Sequence, residues 1–233
     1  MQPPTYAYSD LVRGGSAVEA RARFIARTYN HLLGAIVAFA LIEIGLFQLG
    51  VAPVIAAALM STNWLLVIGA FMLTSWFASR VAHTSQSQAA QYAALGGYVL
   101  VQSIIFVPLL YIANTRAPGV ISSAALVTFI GFAGLTGIAH YTKKDFSFLR
   151  GLLMWGGIGA LALMVAGAVF GFQLGTFFSV GMVVFAGAAI LYDTSNVLRH
   201  FPEDRHVGAA LELFASVALM FWYVLRLFVS SRD

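Results

Sequence analysis

An all-helical integral membrane protein, a bundle of seven transmembrane helices, is the fold class this sequence predicts, on three observations. Hydrophobic residues fill 60% of the 233 positions and charged residues only 9%, with a mean hydropathy of +0.86. A soluble domain carries about 25% charged residues, so this chain cannot cover its own surface with polar groups, and lipid must be the solvent for most of it. Seven apolar stretches of near-spanning length are separated by short polar linkers. Lys and Arg crowd onto alternate linkers, the asymmetry that sets orientation in a bilayer.

The chain opens with a polar tail, 1–29. Ala17 to Tyr29 holds Glu19, Arg21, Arg23 and Arg27 and no apolar run, so it does not read as a cleaved secretory signal. It is expected to be a retained cytoplasmic tail ending in a short surface helix, with the first span acting as the insertion signal. The spans follow at 31–49, 63–79, 92–113, 119–139, 148–172, 176–198 and 207–229, each able to cross a ~30 Å core. Together they make a transmembrane domain over 30–229, and 230–233 is a short C-terminal tail. The linkers carry turn punctuation: Pro53, the run His83 to Gln88, Asn114 to Pro118, Lys143-Lys144-Asp145, and Pro202-Glu203-Asp204. The fifth and sixth spans, joined through Gly171 to Gly175, also read as one long hairpin.

With the N-terminus inside, ten basic residues fall inside (Arg13, Arg21, Arg23, Arg27, Arg80, Lys143, Lys144, Arg150, Arg199, Arg205) and three outside (Arg116, Arg226, Arg232). The expected orientation is a cytoplasmic N-terminus. Seven spans put the C-terminus outside, which Arg226 and Arg232 oppose, so six spans with a re-entrant last segment is the competing topology. The net charge of +4 is thus a topology signal, and no nucleic-acid partner is expected. Gly167 with Gly171, and Gly131, Gly134 and Gly137, read as close-packing helix faces. Pro108 should bend the third span. Trp64, Trp76, Trp155 and Trp222 read as interface anchors.

Charge inside hydrocarbon is costly and therefore informative. Three acids fall within apolar stretches: Glu43, Asp193 and Glu212. Asp193 is followed by Thr194, Ser195 and Asn196, a polar cluster at one depth. It reads either as a proton-sensitive acid in a protein-lined pocket or as an interfacial acid bonding a neighbouring helix. Glu212, Ser216, Leu219, Tyr223 and Arg226 share one helical face, which should turn toward the bundle interior, although Glu212 also suits a solvated helix start. Glu43, ringed by Leu41, Ile42, Ile44 and Leu46, either bonds across helices or lines a path. Arg80 closes the second span and pairs with an inward carboxylate or snorkels to the headgroups.

Other chemistries drop out. Without cysteine there is no disulfide, thiolate metal site or cysteine nucleophile. There is no HExxH pair and no phosphate-binding glycine loop. The five histidines lie at span edges or in loops, so no nucleophile–base pair can be assembled and no enzyme or cofactor is expected. The only lysines, Lys143 and Lys144, lie in a loop, which excludes a retinal Schiff base within a span.

Three motifs point further. Thr142-Lys143-Lys144-Asp145-Phe146-Ser147-Phe148-Leu149 resembles the basic turn of the Bax inhibitor-1 family, Leu191-Tyr192-Asp193 resembles its L-Y-D signature, and Phe24 to Tyr29 is similar to the entry segment of bacterial members. The resemblance extends from about Arg23 to Phe228 and looks closest to the bacterial YccA-like branch, which implies a bacterial inner membrane. It implies a seven-helix bundle of the Bax inhibitor-1 type, six helices around the last. It also implies a pH-sensitive calcium leak, or a regulator of survival and of membrane proteolysis, with a membrane-anchored AAA protease as partner. In leak members a carboxylate pair from the sixth and seventh helices shares a proton, and an arginine of the second helix pairs with it. Asp193 and Arg80 match the first acid and the arginine. The second acid usually lies ten residues before the closing arginine, which here is Ser216. Glu212, one turn earlier, is expected to stand in for it, so that Asp193 and Glu212 form a coupled proton site or calcium site.

Overall fold

The computed structural model describes residues 5–142 and 144–232, with side chains from Val18 onward except His83. Lys143, and the side chains of Asp10 and Arg13, lie outside the described residues. Eight helices run α1 (Thr5–Gln48), α2 (Ala52–Ser61), α3 (Trp64–Thr84), α4 (Gln88–Arg116), α5 (Val120–Tyr141), α6 (Leu149–Phe170), α7 (Thr176–Arg199) and α8 (His206–Ser230). Seven are long and apolar enough to cross a membrane; α2 is the exception. Their large exposed side chains, among them Leu66, Leu73, Phe129, Trp155 and Val184, form the apolar surface that a lipid solvent requires and that water would not tolerate. The protein is a multi-pass membrane protein.

Local chemistry explains the breaks. Asn63 caps α3 by accepting the Leu65 N–H at 2.9 Å, and the Ser87 hydroxyl accepts from Ala90 at 3.4 Å at the start of α4. Gly171 ends α6 with φ of +73°, a conformation an L side chain resists.

Four expectations need correction. No short surface helix precedes the first span, because α1 is one unbroken helix from Thr5. The linker around Pro53 holds a ten-residue helix, too short to span; Pro53 sits in its first turn, where a missing N–H costs nothing. Gly167 and Gly171 are not a helix–helix face. They close the C-terminus of α6, where Gly171 N–H donates to Gly167 O at 2.9 Å and a Cβ on Gly167 would meet Phe172 O at 3.0 Å. Trp222 is a packing residue and no interface anchor, set edge-on to Phe106 at 5.0 Å.

The last span is the hub. α8 packs against α7, α1, α4, α5 and α3, and both Phe106 and Phe214 of the core touch Phe39 of α1 edge-on. A 25-residue helix held in the middle of the bundle is a full span, so the re-entrant alternative falls. The expected ring of six is incomplete, because α6 leans on α7 and α3 and reaches α8 through side chains such as Met164, whose sulfur lies 3.8 Å from the Tyr223 hydroxyl.

The basic ends of the helices are tied together. The Arg21 guanidinium donates to the carbonyls of Val197 (2.8 Å), Leu198 (3.2 Å) and Phe201 (2.5 Å). A cation on the orphan carbonyls of α7 satisfies them and complements the helix dipole, fixing α1 against the element that carries Asp193.

Candidate functional site

Asp193 lies six residues before the end of α7 and is 9% exposed. The Ser216 hydroxyl of α8 donates to its Oδ2 at 2.5 Å. The position ten residues before Arg226 is therefore in direct contact with the α7 acid, and the serine there ties the hub helix to its most intimate neighbour. The residues around Asp193 reach other helices. Thr194 and Thr136 of α5 flank the Tyr29 hydroxyl of α1, and Ser195 accepts the backbone N–H of Phe146 at 3.0 Å. Along α7, Thr194 and Ser195 after the acid are buried and Asn196 half-buried, where α1, α5 and α8 pack against the helix.

Glu212 is half-buried on α8, one turn before Ser216 on the same face. Arg80 is exposed, with its guanidinium 5.4 Å from the ring centroid of Trp76. No ion pair joins it to Asp193 among the described residues. The expected Arg80–Asp193 pair is thus not formed in this conformation; the cation takes the snorkelling position at the bundle surface. Glu43 is 6% exposed and neither carboxylate oxygen has a hydrogen-bond partner among the described residues. It lines neither of the two cavities described below, and bonding across helices is not seen for it. No group of three His, Asp or Glu side chains suited to a metal occurs among the described residues.

A cavity of about 570 Å³ opens between α3, α4, α6, α7 and α8. It is lined mostly by apolar side chains, with Gln102, Tyr223 and Arg226 supplying polar groups, and Pro108 on its wall. Arg226 donates to Leu174 O at 2.6 Å. Leu219 also lines it, three residues and hence about 4.5 Å along the helix axis from Ser216. The polar stripe expected on α8 therefore leads from this cavity to the Asp193–Ser216 contact.

Two groupings escaped sequence reasoning. The basic turn docks onto α7: Asp145 Oδ1 accepts the Ser147 N–H at 2.9 Å and lies 3.5 Å from Ser195 Oγ, and its Oδ2 lies 3.4 Å from His200 Nε2. The accepted Ser147 N–H, with the Arg199 and His200 charges nearby, holds the Asp145 carboxyl below its ordinary value near 3.8. A depressed carboxylate stabilises the fold above its unfolded pKa and loses that contribution as pH falls through the folded value. Amide-exchange protection of Phe146 is therefore expected to persist from neutral pH down to about pH 4 and to fall below it. In Asp145→Asn it should be reduced several-fold already at neutral pH. A loss of protection in the wild type between pH 8 and 6 would contradict this assignment. The second grouping is His31 of α1, whose Nε2 lies 2.8 Å from the Tyr92 hydroxyl and whose ring centroid lies 4.9 Å from that of buried His206. Sixty-one and 175 residues of sequence separate these groups from His31, so only tertiary packing reveals the cluster.

Comparison with known sequences matches residues 21–233 to the family described as "Inhibitor of apoptosis-promoting Bax1". An uncharacterized protein of Pseudomonas aeruginosa is 33% identical over 122 residues, 51% of this chain and 54% of that protein. An uncharacterized membrane protein of Vibrio cholerae is 30% identical over 123 residues, 50% of this chain and 52% of that one. The chain spans about half the length of the curated relatives it matches.

Proposed function

The chain belongs to the Bax inhibitor-1 family, and from that premise we propose that it is a pH-sensitive ion leak, with calcium as the ion carried and Asp193 as the gating acid. The observation that carries this reading is the buried Asp193–Ser216 hydrogen bond between α7 and the hub helix, about one turn along α8 from Leu219, which lines a cavity of about 570 Å³. An ionised carboxylate accepts a charge-assisted bond roughly twice as strong as a neutral one. Proton binding at Asp193 removes that charge, weakens the tie, and lets α7 and α8 part at the level where the cavity ends. Flux should therefore rise as pH falls.

Two further groups enter the proposal. Arg80 gives up only ~0.5–1 kcal/mol of exposed cation–π contact on leaving Trp76, so it is available as a partner for Asp193 in the other state. Glu212, one turn from Ser216, is the second acid of a coupled pair with Asp193. Carboxylates, the Ser216 hydroxyl and backbone carbonyls are the hard oxygen ligands calcium takes, and so small a set suits a passing ion better than a resident one. The membrane is a bacterial inner membrane with the basic helix ends cytoplasmic, a placement supported by the ten-to-three division of Lys and Arg.

A second reading rests on α1, which begins at Thr5 and carries the charged segment Asp10 to Arg27 ahead of the apolar run that starts at His31. In this reading the extension is a handle that binds and modulates a membrane-anchored AAA protease, the role associated with the YccA-like branch. Calcium flux into proteoliposomes, compared for the wild type, Asp193→Asn and a chain lacking residues 1–17, separates the two. The leak requires that Asp193→Asn change the flux and that the truncation spare it.

A further inference from the structure

A second cavity, of about 360 Å³, opens at the basic end of the bundle. Arg150, Arg205 and His200 line it, with Ser147, Tyr192 and Asn196 between them, and no carboxylate is among its lining residues. Three elements supply these groups: the start of α6, the end of α7 and the start of α8. Neither N-cap residue at the two helix starts, Phe148 or Arg205, forms a side-chain capping bond. The Arg205 Nε is buried with no hydrogen-bond partner among the described residues. Burying a donor without an acceptor costs more than a typical hydrogen bond returns, so a ligand that supplies the acceptor is favoured here. Of the acids nearby, Asp145 pairs with His200 and accepts from Ser147, which leaves Arg150 and Arg205 as the cations of the wall; Glu203 and Asp204 are exposed and line none of it.

We propose that this cavity binds a phosphate group, held between the Arg150 and Arg205 guanidiniums, with Asn196 and the hydroxyls of Ser147 and Tyr192 completing the shell. Guanidinium forks match the planar spacing of phosphate oxygens and stay charged at every working pH. The site lies where the spans end, so both an anionic phospholipid headgroup and a soluble phosphate can supply the ligand. The inference is independent of whether the chain conducts ions.

The test uses the full-length protein in detergent and native mass spectrometry, with dioleoyl-phosphatidylglycerol and dioleoyl-phosphatidylcholine as probes and inorganic phosphate as competitor. The wild type should retain phosphatidylglycerol in preference to phosphatidylcholine. Arg150→Gln combined with Arg205→Gln should weaken that retention about tenfold or more, the scale of a lost charge-assisted bond. Arg199→Gln, an exposed cation outside the cavity, should leave it unchanged. If the double variant does not fold, Asn196→Asp places a like charge on the wall and should expel the lipid with little change of shape. Retention that millimolar phosphate does not displace assigns the site to a lipid headgroup; displacement by phosphate assigns it to a soluble anion. Equal retention of both lipids without phosphate binding, or equal losses in Arg199→Gln and the double variant, overturns the proposal.

Discussion

Asp193→Asn is expected to abolish the pH dependence of calcium flux and to hold the flux near the level the wild type reaches in acid. Asparagine keeps the shape of the side chain and an oxygen that can accept from Ser216, but carries no charge at any pH. The bond then falls from the charge-assisted range of ~1.5–3 kcal/mol to ~1 kcal/mol. That difference of about 0.5–2 kcal/mol is a change of roughly two- to thirtyfold in the closed-to-open ratio, about tenfold at its middle. Flux on the alkaline side should therefore rise roughly tenfold over the wild type, with little change where acid has already opened the wild type. The fold should survive, because the hydrogen bond is retained and no volume changes. A variant that keeps the wild-type pH profile would remove Asp193 from the gate and leave it as a structural hydrogen-bonding acid.

Gly208→Ala should produce the largest loss of stability. Gly208 lies in the first turn of α8 against α3, and a Cβ there would meet Ala82 O at 2.7 Å, with the Ala82 carbonyl carbon and Cβ at 3.1 Å. These are backbone atoms and a fully buried methyl, so no side-chain rotation relieves the contact. The two helices must part, at a cost of about 1–3 kcal/mol for overpacking. Alanine recovers up to ~1 kcal/mol of helix propensity over glycine, so the clash wins. The midpoint of thermal unfolding in detergent should drop by several degrees. Gly96, where a Cβ meets nothing within 4 Å, is the control: Gly96→Ala should leave the midpoint unchanged or raise it. A Gly208→Ala protein as stable as the wild type would mean that α3 and α8 are not this close.

Spans were legible in the sequence because lipid demands a continuous apolar run, and all seven fall where the hydropathy places them. The ten-residue α2 was not, because Pro53 reads as punctuation wherever it stands and only the helix itself shows it in a first turn. Asp193 was legible for a similar reason to the spans: an acid in an apolar stretch is costly enough to stand out. Its contact with Ser216 was not, since a serine in a membrane helix carries no cost that marks it. The position became meaningful only through the resemblance, as the site of an absent acid, and the structure puts its hydroxyl directly on Asp193. Arg80 shows the opposite failure. Its place at the end of a span suits both a snorkelling anchor and a gate partner, and the rotamer over Trp76 is a choice that sequence does not encode. The cavity lined by Arg150, His200 and Arg205 was read only as part of the charge asymmetry across the membrane, because its walls come from three separate linkers and helix ends.

The central claim is that proton binding at Asp193 loosens the tie between α7 and α8 and admits a cation. It is tested most directly by calcium flux into proteoliposomes of the wild-type protein, stepped from about pH 8 to about pH 6, beside Glu212→Gln. The expected result is a flux above empty vesicles that rises roughly tenfold on acidification, with the pH midpoint displaced in Glu212→Gln if the two acids are coupled. A flux no greater than that of empty vesicles at either pH, or one that falls on acidification, would contradict the account.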